Sequence, residues 1–204
     1  MDGTKETIAD EELLRRFGAG DARAFEALYD RYRRQIFTFI VRSTRDRAAA
    51  EELTQEVFLR VVQRADDFKG QSKFSTWLYS ITRNLCIDHS RKMAFRRHRS
   101  LDAPLRTDET GGASLGDRVA SDDLAPDRNV ESNTMRSRME AALAAVPEEQ
   151  REVFLMRQVE HLSFAEIALV VGVPENTVKS RMRYALERLQ KALAEFEDNV
   201  AEAG

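Results

Sequence analysis

Between Asn176 and Lys191 the chain concentrates side chains that donate hydrogen bonds or carry positive charge: Asn176, Thr177, Lys179, Ser180, Arg181, Arg183, Arg188 and Lys191. These residue types reach base edges in the major groove and the phosphate oxygens beside it. Thr177, Lys179, Ser180 and Arg181 stand where a recognition helix meets bases, and Arg183, Arg188 and Lys191 suit phosphates. A second basic set comprises Arg83, Arg91, Lys92, Arg96, Arg97 and Arg99, and it follows a stretch bearing Phe68, Phe74 and Trp77. Aromatic rings beside cations can stack unpaired bases and hold their backbone. Phe74 and Trp77 also read as ordinary core, Trp77 above all, while Phe68 and its loop remain candidates to touch a base.

Other chemistry is not spelled here. There is no acid–base pair, nucleophile elbow, phosphate loop or metal cluster, and the acids fall on helix surfaces. Cys86 and His89 form a lone C-x-x-H with no further ligands near, which reads as a buried thiol on a helix. His98 and His161 are isolated polar residues. The expectation is a protein that is not an enzyme, with no catalytic residue, metal or cofactor and no small-molecule substrate.

The elements that position the first set are legible. Ser163 with Glu166 spells a capping box at a helix start. Ile167, Ala168 and Val171 share a face of that short helix, and Gly172 suits the left-handed residue that ends it. Pro174 suits the start of a second helix, about Glu175 to Ala194, whose inner face holds Val178, Met182, Ala185, Leu186 and Leu189. Two helices joined by a sharp Gly-containing turn make a helix-turn-helix over 163–191. Taken alone, the same stretch also fits an αα-hairpin with a solvated basic face.

Upstream, residues 1–9 read as frayed, Asp10 as the cap of a helix through Phe17, and Gly18-Ala19-Gly20 as its end. Asp21 caps a helix from Ala22 to about Arg42, with Phe25, Leu28, Tyr29, Tyr32, Ile36, Phe39 and Ile40 as a core stripe. Asp46 caps a third helix, Arg47 to Gln63, with Leu53, Val57, Phe58, Val61 and Val62 inward. Its other face shows Glu51, Glu52, Gln55, Glu56, Leu59 and Arg60. That face is either merely solvated or a partner surface, and the apolar Leu59 among polar neighbours is what docking would use. Ser72 stands as a cap for the next helix, which carries Phe74, Trp77, Leu78, Ile81 and Leu85 inward. Residues 100–134 hold Gly111-Gly112, two prolines and an excess of acids, and read as a flexible acidic linker. Its negative charge serves solubility or mimics a nucleic-acid strand in a channel. Helices from Met135 and from Pro147 then complete a small four-helix domain, followed by an acidic tail over 195–204. The fold class is all-α: two small helical domains and a flexible linker.

Composition sets a constraint on function. The chain has 204 residues, a formal charge of −3 and one cysteine. An acidic protein binds DNA only if its cations are clustered or a partner supplies affinity. The single cysteine permits no intramolecular disulfide, no apolar run nears the ~20 residues of a membrane span, and the N-terminus lacks a signal-peptide layout. A cytoplasmic protein without membrane insertion is expected.

Three ordered strings resemble a known family. Glu51-Glu52-Leu53-Thr54-Gln55-Glu56-Val57-Phe58-Leu59-Arg60 is similar to the polymerase-binding segment of bacterial sigma factors. Phe74-Ser75-Thr76-Trp77-Leu78-Tyr79-Ser80-Ile81-Thr82-Arg83-Asn84, then Asp88 and Arg91-Lys92, resembles the promoter-melting segment of the extracytoplasmic-function (ECF) subfamily. Pro147-Glu148-Glu149-Gln150-Arg151-Glu152-Val153-Phe154 and Val178-Lys179-Ser180-Arg181 resemble that subfamily's C-terminal domain. The resemblance covers about residues 21–99 and 135–192.

The resemblance implies an initiation factor that joins core RNA polymerase, reads the −10 and −35 promoter elements, and nucleates DNA melting. It divides the chain into a region 2 domain (1–99), a linker (100–134), a region 4 domain (135–194) and the tail. Within the first domain, 46–63 would bind polymerase and 68–99 would read and melt the −10 element. Glu52, Leu53, Gln55, Glu56 and Leu59 would lie on the clamp helices of the β′ subunit; Glu52 stands where the family pattern often has Asp. Phe68, Lys69, Gly70, Gln71, Ser72 and Lys73 would receive a base flipped from the −10 strand, with Arg83, Asn84, Arg91 and Lys92 along the DNA. Asn176, Thr177, Lys179, Ser180, Arg181, Arg183 and Arg188 would face the −35 element while that domain rests on the β flap. An anti-sigma factor is a further implied partner. The rival reading is an autonomous operator-binding regulator; two basic patches in one acidic chain argue against it.

Overall fold

The computed structural model describes the backbone of residues 8–101 and 130–201, and within these the side chains of 8–96 and 137–194. Eight α-helices fill the described residues: α1 Asp10–Gly18, α2 Ala22–Thr44, α3 Arg47–Gln63, α4 Phe74–Leu101, α5 Val130–Ala145, α6 Glu148–Gln158, α7 Phe164–Val171 and α8 Glu175–Ala201. A short 3₁₀ turn, Ala65–Asp67, follows α3.

In the N-terminal domain, α1 and α3 flank α2, and α4 closes the bundle against α2 and α3. The expected caps at Asp21 and Asp46 form: Asp21 accepts from the Arg23 N–H, and Asp46 from the Ala49 N–H. Leu28, Ile36, Phe39 and Ile40 of α2 are buried against Val57, Phe58 and Val61 of α3 and Phe74, Leu78 and Tyr79 of α4. In the C-terminal domain α5, α6 and α7 all pack on α8, burying Val153, Met156, Ile167, Val178 and Ala185. The two domains also pack on one another, α4 against α7 and α2 against α6.

Several local expectations are corrected. Asp10 is the first residue of α1, whose N-cap is Ala9, and its carboxylate goes to Arg31 and the Tyr32 hydroxyl. The Ile8 carbonyl accepts from the same Arg31, so residues 8 and 9 are held rather than frayed; residues 1–7 lie outside the described residues. Ser72 donates to the Lys73 carbonyl, and the Phe74 N–H at the start of α4 is bound at 2.8 Å by the Glu11 carboxylate from α1. A tertiary partner has replaced the local cap. Val62 and Leu186, placed inward by periodicity, are 41% and 38% exposed. Each follows a buried neighbour, Val61 or Ala185, by one residue, and a 100° turn carries it off the narrow apolar stripe.

Two boundaries move as well. α2 continues to Thr44 and ends at Arg45 in the left-handed conformation (φ 59°). α8 continues through the expected tail to Ala201, since no glycine or proline interrupts it. Both ends of the expected 100–134 linker are helical, through Leu101 and from Val130; the segment between, and with it the expectation of a nucleic-acid mimic, lies outside the described residues.

Candidate nucleic-acid and polymerase interfaces

The helix-turn-helix is built as its sequence dictates. Ser163 Oγ accepts from the Glu166 N–H at 3.2 Å, and Glu166 Oε2 accepts from the Ser163 N–H at 2.7 Å. Gly172 ends α7 at φ 74°, a conformation that side chains with a Cβ disfavour. Its N–H and that of Val173 both bond to the Ala168 carbonyl, at 2.9 and 3.3 Å. The chain then reverses, and Thr177 N–H bonds to the Pro174 carbonyl at 2.9 Å as α8 begins. Val178, Met182, Ala185 and Leu189 are buried, so the opposite face of α8 is fixed in solvent.

That opposite face presents Asn176, Lys179, Ser180, Arg183 and Arg188, with Thr177 half-buried beside them. Ser180 Oγ donates to the Asn176 carbonyl at 3.0 Å. Lys179 pairs with Glu175 at 2.7 Å; Arg183 pairs with Glu187 at 3.3 Å and lies over the Tyr184 ring. These are exposed pairs one helical turn apart, worth little and readily exchanged for a phosphate. Arg181 differs. Its side chain is only 18% exposed and turns back to α6, where it meets Glu149 at 2.5 Å and Glu152 at 3.8 Å.

The loop from Phe68 to Lys73 has an inner and an outer part. Phe68 packs its ring on Trp77 (centroids 5.4 Å) and Phe74 (6.4 Å), so it is a wall rather than a free platform. Lys69, Gly70 and Gln71 are exposed, and Gly70 holds φ 68° with open space around it, so its backbone conformation is what requires glycine. An open cleft of about 440 Å³ lies between this loop and α1, lined by Glu11, Leu14, Arg15, Asp66, Phe68 and Lys69 among others. Sequence reading missed the α1 wall, because Glu11 and Arg15 lie more than fifty residues upstream and nothing local ties them to the loop.

Along α4, Asn84, Arg91 and Lys92 are exposed, and Phe95 is 65% exposed beyond them. Arg83 is engaged instead: its Nε and Nη2 donate to Glu152 Oε2 and Oε1 at 2.7 and 3.2 Å. Lys73 reaches Glu166 Oε1 at 2.9 Å. Burial would raise the Glu166 carboxyl, but hydrogen bonds from Lys73 and from Ser163, with the Lys73 charge, outweigh it and hold Glu166 at about 2. The Cys86 thiol is buried, as expected, and burial pushes it up to about 12.

On α3, Glu52, Gln55 and Leu59 form an exposed stripe, with Leu59 51% exposed. Leu53 is half-buried, and Glu56 accepts from Arg60 at 2.8 Å. Val62 lengthens the stripe by one turn, and the inward assignment of Val62 hid it.

Two family models match the chain, Sigma-70 region 2 over residues 28–96 and Sigma-70 region 4 over residues 136–189. The chain is 33% identical over 184 residues to the RNA polymerase sigma-H factor of Pseudomonas aeruginosa, covering 90% of this chain and 93% of that one. It is 30% identical over 186 residues to the ECF RNA polymerase sigma factor SigW of Bacillus subtilis, covering 91% and 97%. Among solved structures, CnrH in complex with the cytosolic domain of CnrY shares the fold at TM-score 0.65 and 20% identity, over 92% of this chain and 99% of that one. RpoE of Bartonella quintana, solved with the anti-sigma factor NepR, shares it at TM-score 0.64 and 21% identity, over 85% and 98%. Two region models in the family's order, on the two helical domains just described, leave one conclusion: this chain belongs to the ECF branch of the sigma-70 family, the transcription initiation factors, not enzymes, that direct RNA polymerase to promoters through the −10 and −35 elements.

Proposed function

We propose that three solvent-facing surfaces divide the work of initiation. The α3 stripe of Glu52, Gln55, Leu59 and Val62, with Leu53 and Glu56 at its edge, docks on the β′ clamp helices of core polymerase. The exposed face of α8, through Asn176, Thr177, Lys179, Ser180, Arg183 and Arg188, reads the −35 duplex, while Arg181 orients that helix from behind and the domain rests on the β flap. The cleft under Phe68–Lys73 receives an unstacked −10 base, with Arg83, Asn84, Arg91 and Lys92 along the strand. Capture of one base offsets the few kcal/mol that unstacking costs, and so nucleates melting.

The observation that carries the division is the cleft itself. It is large enough for a base, and it joins an aromatic wall, two carboxylates and two cations beside an exposed loop. RpoE of Bartonella quintana, which shares the fold and was solved with the anti-sigma factor NepR, supports an anti-sigma factor as a partner here too. Among the described residues no helix is long and apolar enough to cross a membrane, in keeping with action on polymerase in the cytoplasm.

The test is transcription by core polymerase with and without the purified chain, on promoters selected from a random library. Stimulated initiation that Phe68→Ala and Lys69→Ala reduce at the melting step, seen by permanganate footprinting, supports the scheme. Tight binding to duplex operators with no stimulation of core would instead make the chain an autonomous regulator.

A further inference from the structure

One carboxylate meets an arginine from each of the two helices that carry the proposed reading surfaces. Glu152 of α6 accepts a bidentate contact from Arg83 of α4, and its Oε1 also faces Arg181 of α8 at 3.8 Å. The site is largely dry: the side chains of Arg83, Glu152 and Arg181 are 19%, 10% and 18% exposed. Nearly three helical turns before Arg83, just ahead of α4 and across the same seam, Lys73 of the base-capturing loop is tied to Glu166 at the start of α7. The seam is also pinned at its far end by an exchange of helix C-termini. Arg151 of α6 donates to the Ser43 carbonyl of α2 at 3.2 Å, and Arg45, just past α2, donates to the Ala144 carbonyl of α5. Cations at helix C-termini are favourable on both counts, hydrogen bond and dipole.

We infer that Glu152 and Glu166 form an intramolecular latch that holds the chain closed and occupies Arg83 and Lys73 until polymerase or DNA separates the domains. The latch rests on the proposed roles of Arg83 and Lys73 along the −10 strand. Its chemistry is that of a phosphate mimic: a planar carboxylate accepting from the guanidinium fork that would otherwise clamp a phosphate. It is also poised to open. Burying three charges costs desolvation that their attraction only partly repays, so the closed state is held by a small margin. Salt screens the Lys73–Glu166 link, with Lys73 70% exposed, far more than the buried Glu152 site. A closed population reduces apparent affinity for nucleic acid by the fraction that is open, so whatever opens the seam raises that affinity in proportion.

The experiment uses the full chain with nitroxide labels at two exposed helix positions, Ala27→Cys on α2 and Gln190→Cys on α8; Cys86 is buried and stays unlabelled. Electron–electron double resonance reads the interdomain distance, and fluorescence anisotropy reads binding to a mixed-sequence single-stranded oligonucleotide. The test variant is Glu152→Gln with Glu166→Gln; glutamine keeps the capping box of α7 intact. Its control removes the same two charges away from the seam, Glu26→Gln with Glu51→Gln. The latch predicts one narrow distance in the unsubstituted chain and in the control. It predicts a longer, broad distribution in the test variant, with about 3- to 10-fold tighter oligonucleotide binding at low salt than the control. Glu166→Gln alone, which leaves the buried site untouched, should show a smaller shift in the same direction and guards against a folding defect. A broad distribution in the unsubstituted chain, or identical distributions in all variants, overturns the latch. Opening without tighter binding than the control overturns its role in occupying Arg83 and Lys73. If the latch opens as expected but core polymerase is never stimulated, the functional reading fails and the latch stands.

Discussion

The two proposed reading surfaces are held in opposite ways. The exposed face of α8 is set by the buried stripe behind it, Val178, Met182, Ala185 and Leu189, and its surface cations make only weak pairs within one turn. The proposed −10 surface is assembled from three places, α1, the loop after the 3₁₀ turn, and α4, and two of its cations are bound to acids of the other domain. A surface fixed by its own helix is ready to bind. A surface whose parts come from distant segments, and whose charges are already satisfied, has to be released first.

The largest expected effect tests the first half of that contrast. Val178→Asp places a carboxylate in the centre of the helix-turn-helix core, where Val178 is fully buried. Loss of about 3–5 kcal/mol, read by urea denaturation, should disorder the recognition helix. Asn84→Asp on the exposed face of α4 should change stability by less than about 0.5 kcal/mol. Equal effects at the two positions would break the contrast.

Next in size are the arginines of α8. Arg183→Ala removes an exposed cation from the groove face and should cost about 1–3 kcal/mol of −35 binding. Arg181→Ala acts from behind through Glu149 and Glu152, so its loss should be uniform across −35 sequences and come with lower thermal stability of the free chain. Binding to a panel of −35 variants separates the two. A base-specific loss at Arg181 would show that it swings out of its ion pairs to read DNA.

A smaller effect belongs to the loop. Gly70→Ala puts a Cβ into open space but at φ 68°, so the strain is conformational, about 1–2 kcal/mol. The result should be slower open-complex formation with unchanged −35 binding. Failure at the −35 element instead would mean that the loop does not act separately.

How much of this was legible follows from range. The capping box at Ser163, the turn at Gly172, the Asp21 and Asp46 caps and the stripe on α8 depend on residues within one or two turns, and they formed as spelled. The family resemblance lay in contiguous strings and was equally readable. What the sequence hid depends on partners far along the chain. Ser72 looks like a cap, yet Glu11, sixty-three residues upstream of Phe74, binds the first N–H of α4. Arg83 looks like a free DNA cation, yet Glu152, sixty-nine residues on, holds it. Nothing in residue type marks which acid will meet which base across a domain seam.

The smallest expected effect is at Glu160, between α6 and α7, and it turns on pH. Glu160 Oε1 and the Tyr79 hydroxyl are both buried, and the two side chains approach one another without reaching good hydrogen-bond geometry. Burial raises the Glu160 carboxyl, and the nearby Tyr79 hydroxyl, Arg42 and His161 only partly offset it. A carboxyl raised in the folded state favours its protonated form there. Its contribution is therefore fully present below the ordinary value of 4.5 and is lost as pH rises through the folded value. Glu166 runs the other way: held at about 2, it stabilises above 4.5, and that stabilisation is lost as pH falls from 4.5 towards 2. Glu160→Gln imitates the protonated acid, so it should raise the melting temperature at neutral pH. The group is partly exposed, so the gain should stay under about 1 kcal/mol, or about 2–4 °C. Towards pH 4 the difference from the unsubstituted chain should vanish, while the acid loss that belongs to Glu166 persists in both. A gain that is constant with pH would mean that the carboxylate charge at Glu160 is not what the seam between α4 and the α6–α7 turn opposes.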